Sequence, residues 1–245
     1  MTQTIPLPTV TFESLSMAQL QRMKDGAEQV IDAHRTLKKG SLNVVGECLK
    51  DQGTFFEMEH YPKGDVYDRE SFSQYYYHAH RDDRDEHGHF HTFMRAGGIA
   101  ADVEPVANNG DVEWPTGSDA VSHVISISMD SPGFPISLFA TNRWVTGENW
   151  YRAKDVVSML DNWQIDHAFP NLAVNQWVTG MMKLFRPQIV ALLEHRDAVI
   201  EDWRQQHPDQ DVFEDRTLEV TGEFDISVED QLLKVLKAME KLSAA

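Results

Sequence analysis

Residues 72–95 read FSQYYYHAHRDDRDEHGHFHTFMR and contain two aromatic runs on either side of a polar segment. Aromatic residues favour strands, so the runs FSQYYYHAHR and HFHTFMR each predict a strand. The segment RDDRDEHG between them predicts a turn because it is charged and ends in glycine. The sequence therefore predicts a β-hairpin here.

Each predicted strand carries the pattern His-x-His, with His78 and His80 on one and His89 and His91 on the other. Residues two apart on a strand point to the same face. If the turn pairs His80 with His89, His78 lies opposite His91, and neighbouring positions are then about 5 Å apart across the strands and roughly 7 Å along them. Imidazoles at these positions can reach a common ion, which uses lone pairs that would otherwise need buried hydrogen-bond partners. The alternative is a solvated, histidine-rich hairpin.

Four further residues are candidates for the same site. Glu86 in the turn is a candidate carboxylate ligand or proton shuttle, unless it is simply solvated. Tyr76 flanks the cluster on the predicted strand, and His123 within VSHVISIS adds a fifth nitrogen if its strand neighbours the hairpin; otherwise it is a core residue. Arg143, on a predicted strand, is a candidate anchor for an anionic or carbonyl-bearing substrate, or part of a surface salt bridge.

Hydrophobic periodicity outside the hairpin predicts helices at both ends of the chain. Apolar residues recur at spacings of three and four over residues 20–37 and 232–242. Further helices are predicted over 42–49, 154–163 and 172–206, the last broken at Pro187. Further strands are predicted near 55–61, at VSHVISISM, at ISLFAT and over 218–224. We therefore predict one α+β domain over residues 1–245, with a mostly antiparallel sheet of about five or six strands covered by the N- and C-terminal helices.

Composition limits the function. The 22 Lys and Arg residues against 39 Asp and Glu give a charge of -17, which disfavours nucleic acid and anionic membranes as partners. The single Cys48 excludes metal sites built from several thiolates. The opening residues show no basic segment followed by an apolar run, so we expect a cytoplasmic protein. The narrow apolar stripes of the terminal helices also suggest a homodimer seam.

The segment HAHRDDRDE, with GDVEWPTG and His123 further on, resembles the two metal-binding motifs of cupins, in which His-x-His, Glu and a distant His surround one ion. The match departs from the cupin pattern in its long Glu spacing and in the second pair, His89 and His91. The long helices also do not belong to a simple β-barrel. The chain as a whole is similar to an uncharacterised bacterial family of unknown function, which implies no activity.

Histidine ligands without thiolates suit iron, copper, zinc, nickel or manganese. The surrounding aromatic residues favour redox chemistry, so the first hypothesis is an iron-dependent oxidoreductase acting on a small polar molecule. The second hypothesis is a zinc hydrolase or lyase, and the third is a metal-binding protein without catalysis. An open coordination position distinguishes the enzymes from the third hypothesis.

Overall fold

The computed structural model describes residues 5–81 and 85–244. Residues 1–4 of the opening segment and residues 82–84 of the predicted turn lie outside the described residues. The helices within the described part are α1 (Met17–Lys39), α2 (Val44–Leu49), α3 (Arg143–Thr146), α4 (Ala153–Met159), α5 (Leu172–Leu184), α6 (Arg186–Gln206) and α7 (Val228–Ala244). The strands are β1 (Tyr61–Tyr67), β2 (Ser73–His78), β3 (Gly88–Arg95), β4 (Val121–Met129), β5 (Pro135–Thr141) and β6 (Val220–Asp225).

The six strands form one sheet in the order in which they occur along the chain. Each strand pairs antiparallel with the next one, from β1 to β6. This arrangement needs only short connections between most neighbours. The predicted α+β class, with a mostly antiparallel sheet, is confirmed.

The strand predicted near residues 55–61 and the continuation of a strand through Arg143 are wrong. Residues 55–60 form turns and irregular backbone, and the first strand begins only at Tyr61. Arg143 does not continue a strand but begins α3, where the side chain of Asn142 accepts a hydrogen bond of 2.8 Å from the backbone N–H of Arg143. The cap ends the extended segment because it satisfies a helical N–H group.

Helices α5 and α6 cover one face of the sheet. The hydroxyl of Tyr75 on β2 donates a 2.7 Å hydrogen bond to Oδ1 of Asn175 on α5, and the ring centroids of Phe90 and Trp177 are 5.5 Å apart. The two helices are separate because residue 185 departs from helical geometry and α6 starts with Pro187 in its first turn. The predicted break at Pro187 is thus confirmed.

Helix α1 packs on α5 at a close crossing. A Cβ atom on Gly26 of α1 would come within 2.8 Å of the carbonyl oxygen of Gly180 on α5, so both positions require glycine. Leu20 and Met23 on α1 form a separate apolar cluster with Val235 on α7. Part of the apolar stripe of each terminal helix is therefore buried within the chain.

The opposite face of the sheet is buried as well. β4 is buried at every position, and β3 at every position except its last. We call this second face the histidine face, and it carries Tyr76, His78, His89, His91 and Phe93.

Among the residues that the structure describes, no helix has the length and apolar character needed to cross a membrane.

Candidate metal centre

Strands β2 and β3 bring three histidines together on the histidine face. His78, the last residue of β2, pairs with His89 of β3, and Tyr76 pairs with His91. Cross-strand partners share a face of the sheet, as do residues two apart on one strand. The pairing of His80 with His89 expected from the sequence is therefore wrong by two residues. Because side chains alternate with a period of two, this shift keeps the histidines on one face.

The Nε2 atoms of the three buried histidines converge. Nε2 of His78 lies 2.9 Å from Nε2 of His89 and 3.1 Å from Nε2 of His91. Two imidazole nitrogens that each bind one ion at about 2.1 Å are about 3.0 Å apart when the angle at the ion is a right angle. The spacing of these atoms therefore fits the binding of a single ion.

His80 joins the group from just beyond the end of β2. Its ring centroid is 4.9 Å from those of His78 and His89. One ligand nitrogen from each of the four histidines, His78, His80, His89 and His91, lies within 4.8 Å of the others. The side chain of His80 is 20% exposed, whereas His89 and His91 are fully buried. The group can hold a transition metal, with His80 on its solvent side.

Glu86 contacts His89 on the side of the ring that faces away from the converging Nε2 atoms. Oε1 of Glu86 lies 2.6 Å from Nδ1 of His89, and Oε2 is 3.3 Å from Nη1 of Arg81. Burial opposes ionisation of the carboxyl, but the hydrogen bond from His89 and the charge of Arg81 lower the pKa of Glu86. An ionised carboxylate only accepts hydrogen bonds, so Nδ1 of His89 carries the proton and Nε2 keeps its lone pair. Glu86 thus orients a ligand atom from outside the converging group.

The Nδ1 atom of His91 also has partners. It lies 2.8 Å from Oγ of Ser126 and 3.1 Å from Nε2 of His123. These contacts are on the side of the ring opposite the converging Nε2 atoms. The structure thus brings His123 into contact with the centre, behind His91 rather than within the group of four. Nδ1 of His78 is buried and has no hydrogen-bond partner among the described residues.

The electrostatic setting keeps these imidazoles neutral. Burial, followed by the neighbouring histidines, lowers the pKa of His78 to about 2 and that of His91 well below its usual value. Burial also lowers the pKa of His89, although Glu86 raises it. Burial lowers the pKa of His123 to about 3. Neutral imidazoles offer the lone pairs that a metal ion requires.

Aromatic rings surround the centre. The ring of Tyr76 lies 5.2 Å from the rings of both His78 and His91, and that of Phe139 lies 5.1 Å from His89. Tyr76 is only 6% exposed, and its burial raises the pKa of the phenol. Its catalytic role stays a prediction, but its predicted position beside the cluster agrees with the structure.

Arg143 contributes to a different part of the molecule. Its Nε donates a 2.9 Å hydrogen bond to the carbonyl oxygen of Glu148, its Nη1 is paired with Glu214, and its guanidinium lies 5.1 Å from the ring centroid of Trp114. These contacts bury it instead of leaving it in a surface salt bridge. The structure therefore does not bring Arg143 into the group of histidines.

His60 and Arg81 are among the residues near the centre that were not predicted from the sequence. The His60 ring stacks on Tyr76 with a centroid distance of 3.5 Å and meets the His78 ring edge-on at 5.7 Å. Arg81 bonds both Glu86 and Glu223, and its guanidinium lies 4.3 Å from the ring centroid of Phe139. His60 gave no local signal because it lies outside any His-x-His pattern. Arg81 directly follows His80, and this position beside a candidate ligand could have identified it as a candidate residue of the site.

Comparison with known proteins identifies a family whose function is unknown. Residues 24–226 match a family model described as domain of unknown function DUF6969. The chain belongs to the DUF6969 family. This confirms the resemblance to an uncharacterised family, and the matched range includes all the residues of the candidate metal centre described above. No curated protein and no solved structure matches the chain.

Proposed function

We propose that the chain is a metal-dependent enzyme that binds one transition-metal ion through His78, His89 and His91, with His80 as a fourth ligand or as the position next to the substrate. The substrate is a small molecule, and the preferred chemistry is oxidation or reduction at iron. The observation that carries this proposal is the convergence of three buried Nε2 atoms at distances of 2.9 and 3.1 Å.

The contacts behind the ligands support a built site. The Nδ1 atom of His89 is held by Glu86 at 2.6 Å, and that of His91 by Ser126 at 2.8 Å. Metal-binding histidines commonly donate the second ring N–H to a carboxylate or another oxygen, which fixes the ring and its tautomer. A solvated, histidine-rich hairpin would not need buried partners of this kind.

An enzymatic role is favoured by the unequal exposure of the four histidines. A purely structural ion is usually enclosed by a complete set of ligands, whereas a catalytic ion keeps one position open. Three ligands here are buried, and His80 is 20% exposed at the edge of the group. A small molecule can therefore approach the ion beside His80 or in its place.

Iron and redox chemistry are favoured by the aromatic surroundings. Tyr76, Phe93 and Phe139 are each buried and lie next to the histidine rings. Such side chains exclude water and lower the local dielectric, which suits reactive species at a redox metal. Bound iron would supply electron transfer, while Glu86 and Ser126 keep the ligand rings oriented.

A zinc hydrolase or lyase is the second candidate because the group of four contains only nitrogen ligands. Glu86 faces Nδ1 of His89 and not the converging Nε2 atoms. Three nitrogens and one open position form a common catalytic zinc site, in which zinc lowers the pKa of a bound water.

Metal analysis of untagged protein, expressed with iron, zinc, copper, nickel and manganese all supplied, tests the proposal. We expect about one ion per chain in the parent protein, and little in a His78→Ala variant. The matched control is His207→Ala, because His207 contacts Trp203 far along the chain from the hairpin. Oxygen uptake by the iron form would favour the oxidoreductase, and ester hydrolysis by the zinc form would favour the hydrolase. Protein without bound metal would refute both, and a bound ion with neither activity would favour a metal-binding protein.

A further inference from the structure

The segment between α2 and β1, residues 55–60, lies against the end of β2. The backbone N–H of Met58 donates a 3.1 Å hydrogen bond to the carbonyl oxygen of Ala79, the residue between His78 and His80. The same segment ends at His60, whose ring stacks on Tyr76 and contacts His78. We call residues 55–60 the rim segment, because it adjoins the partly exposed side of the metal centre.

The rim segment exposes apolar side chains to an unusual degree. Met58 is 68% exposed and Phe56 is 61% exposed, the highest values for large apolar residues in the part of the chain that the structure describes. Met58 also has a positive φ of 66°, which unbranched side chains adopt rarely and at some cost in free energy. Exposed apolar groups held in a strained backbone next to a candidate active site favour a binding role.

Charges near the rim segment limit the ligand. Glu57 and Glu59 are exposed on the segment itself, Asp65 lies 3.3 Å from His60, and Glu219 lies 3.9 Å from His80. The nearby cation Arg81 is already paired with Glu86 and Glu223. These acids would repel a negative charge on the end of a ligand that lies against the rim segment, whereas an uncharged or cationic end would not be repelled.

We infer that Phe56 and Met58 bind the apolar part of the substrate while its polar end faces the ion, so that the substrate carries an apolar or aromatic group without negative charge at the end away from the ion. This inference rests on the proposed metal centre. It narrows the small polar molecule expected from the sequence to an amphipathic one, and it gives the rim segment a role in specificity that is separate from metal binding.

The test compares two probes on cobalt-loaded protein, imidazole and 4-phenylimidazole, by titration of the visible absorption bands of the cobalt ion. Both probes can bind the ion through nitrogen, and only the second has an apolar ring to place against the rim segment. We expect 4-phenylimidazole to bind at least about tenfold more tightly, because burial of the ring stabilises the complex. The probe 4-(imidazol-4-yl)benzoate, which carries a carboxylate on the far end of the same ring, should bind more weakly than 4-phenylimidazole.

The double variant Phe56→Ser/Met58→Asn should keep its cobalt and lose most of the preference for 4-phenylimidazole. Asparagine is chosen because it tolerates positive φ. The matched control is Leu233→Ser, which removes a 48% exposed apolar side chain from α7. If the double variant loses its helical circular dichroism, the single variant Phe56→Ser provides the same comparison.

The outcomes separate the two proposals. Parent protein that binds no cobalt would refute the metal centre and, with it, this inference. Cobalt binding with equal affinities for the two probes would refute the rim segment alone. The rim segment is also refuted if the folded variants keep the full preference, or if 4-(imidazol-4-yl)benzoate binds as tightly as 4-phenylimidazole.

Discussion

His89 and Glu86 form a buried pair in which Nδ1 of the imidazole lies 2.6 Å from Oε1 of the carboxylate. Their side chains are 0% and 1% exposed, respectively. The pair leaves Nε2 of His89 with a lone pair that faces Nε2 of His78 at 2.9 Å. The position of one candidate ligand atom therefore depends on a carboxylate that is not itself in the group of four.

The first prediction concerns this carboxylate. Glu86→Ala should weaken metal binding by about 10–100-fold, because the ring of His89 loses the acceptor that fixes its tautomer and orientation. Glu86→Gln keeps an acceptor oxygen and should lose less. Competition with a chromophoric chelator measures the affinity, and Glu59→Ala is the control because Glu59 is an exposed acid of the rim segment. Equal affinities for Glu86→Ala and the parent would show that the pair has no part in metal binding.

The second prediction concerns the ligands themselves. His89→Ala/His91→Ala should lose most of the bound metal but keep most of its helical circular dichroism. The helices bury their own apolar faces, as Leu20 and Met23 do against Val235. Full metal occupancy in the double variant would mean that the ligands lie elsewhere. Loss of metal with unchanged turnover would mean that the ion is structural.

The common face of the histidines could be predicted from the sequence because it depends only on local periodicity. Side chains alternate along a strand whatever its neighbours are, so His89 and His91 had to share a face. The register could not be predicted. Residues 82–84, between His78 and His89, lie outside the described residues. The sequence of the segment RDDRDEHG does not select one turn geometry. An error of two residues did not change the face, whereas an error of one would have done so.

The missed elements depend on tertiary contacts. β1 has the sequence YPKGDVY, in which Pro, Lys, Gly and Asp all disfavour strands. It forms an edge strand by pairing with β2, with an irregular register between Tyr61 and Val66. His60 likewise reaches the centre only through the stacking of its ring on Tyr76. The sequence near His60 contains no sign of this contact.

The third prediction is that the chain forms a homodimer, as the apolar stripes of the two terminal helices suggest. The structure uses part of both stripes within the chain, since Leu20 and Met23 pack with Val235. The dimer would then form through the apolar side chains of α7 that remain exposed, Leu233 and Leu242. Sedimentation at micromolar concentration measures the mass. A single species of 28.0 kDa would reject the dimer.

The fourth prediction concerns Glu148, whose pKa is raised to about 8 by burial, with Arg196 and the backbone N–H of His123 opposing the shift. An unfolded chain loses this proton near the usual pKa of 4.5. Between these two values the folded chain holds a proton that the unfolded chain has lost. The free energy of unfolding should therefore fall as the pH rises through this window, by about 1.4 kcal/mol for each unit of pKa difference.

Glu148→Gln cannot ionise and should lack this contribution to the pH dependence. Urea unfolding at about pH 5 and about pH 8 measures the free energy of unfolding at both ends of the window. The control is Glu113→Gln, because Glu113 is an exposed acid. If Glu148→Gln and the parent lose the same free energy between the two pH values, Glu148 is already ionised in the folded chain.

The last prediction concerns the pH at which the centre releases its metal. The sequence alone predicts release near pH 6.5, the usual pKa of histidine, because protons compete with the ion for the imidazole lone pairs. Burial lowers the pKa of His78 to about 2 and also lowers those of His89 and His91. Because these folded pKa values lie below the unfolded value, the neutral rings stabilise the fold above about pH 6.5, and this stability is lost as the pH falls towards the folded values.

Metal should therefore remain bound below pH 6.5 and leave only as the chain unfolds. Equilibrium dialysis and circular dichroism over the same pH series should give coincident transitions, and a His80→Ala variant, with its three buried ligands intact, should behave alike. Half-release near pH 6.5 with an intact helical signal would contradict this prediction, because it would mean that ligands open to solvent hold the ion.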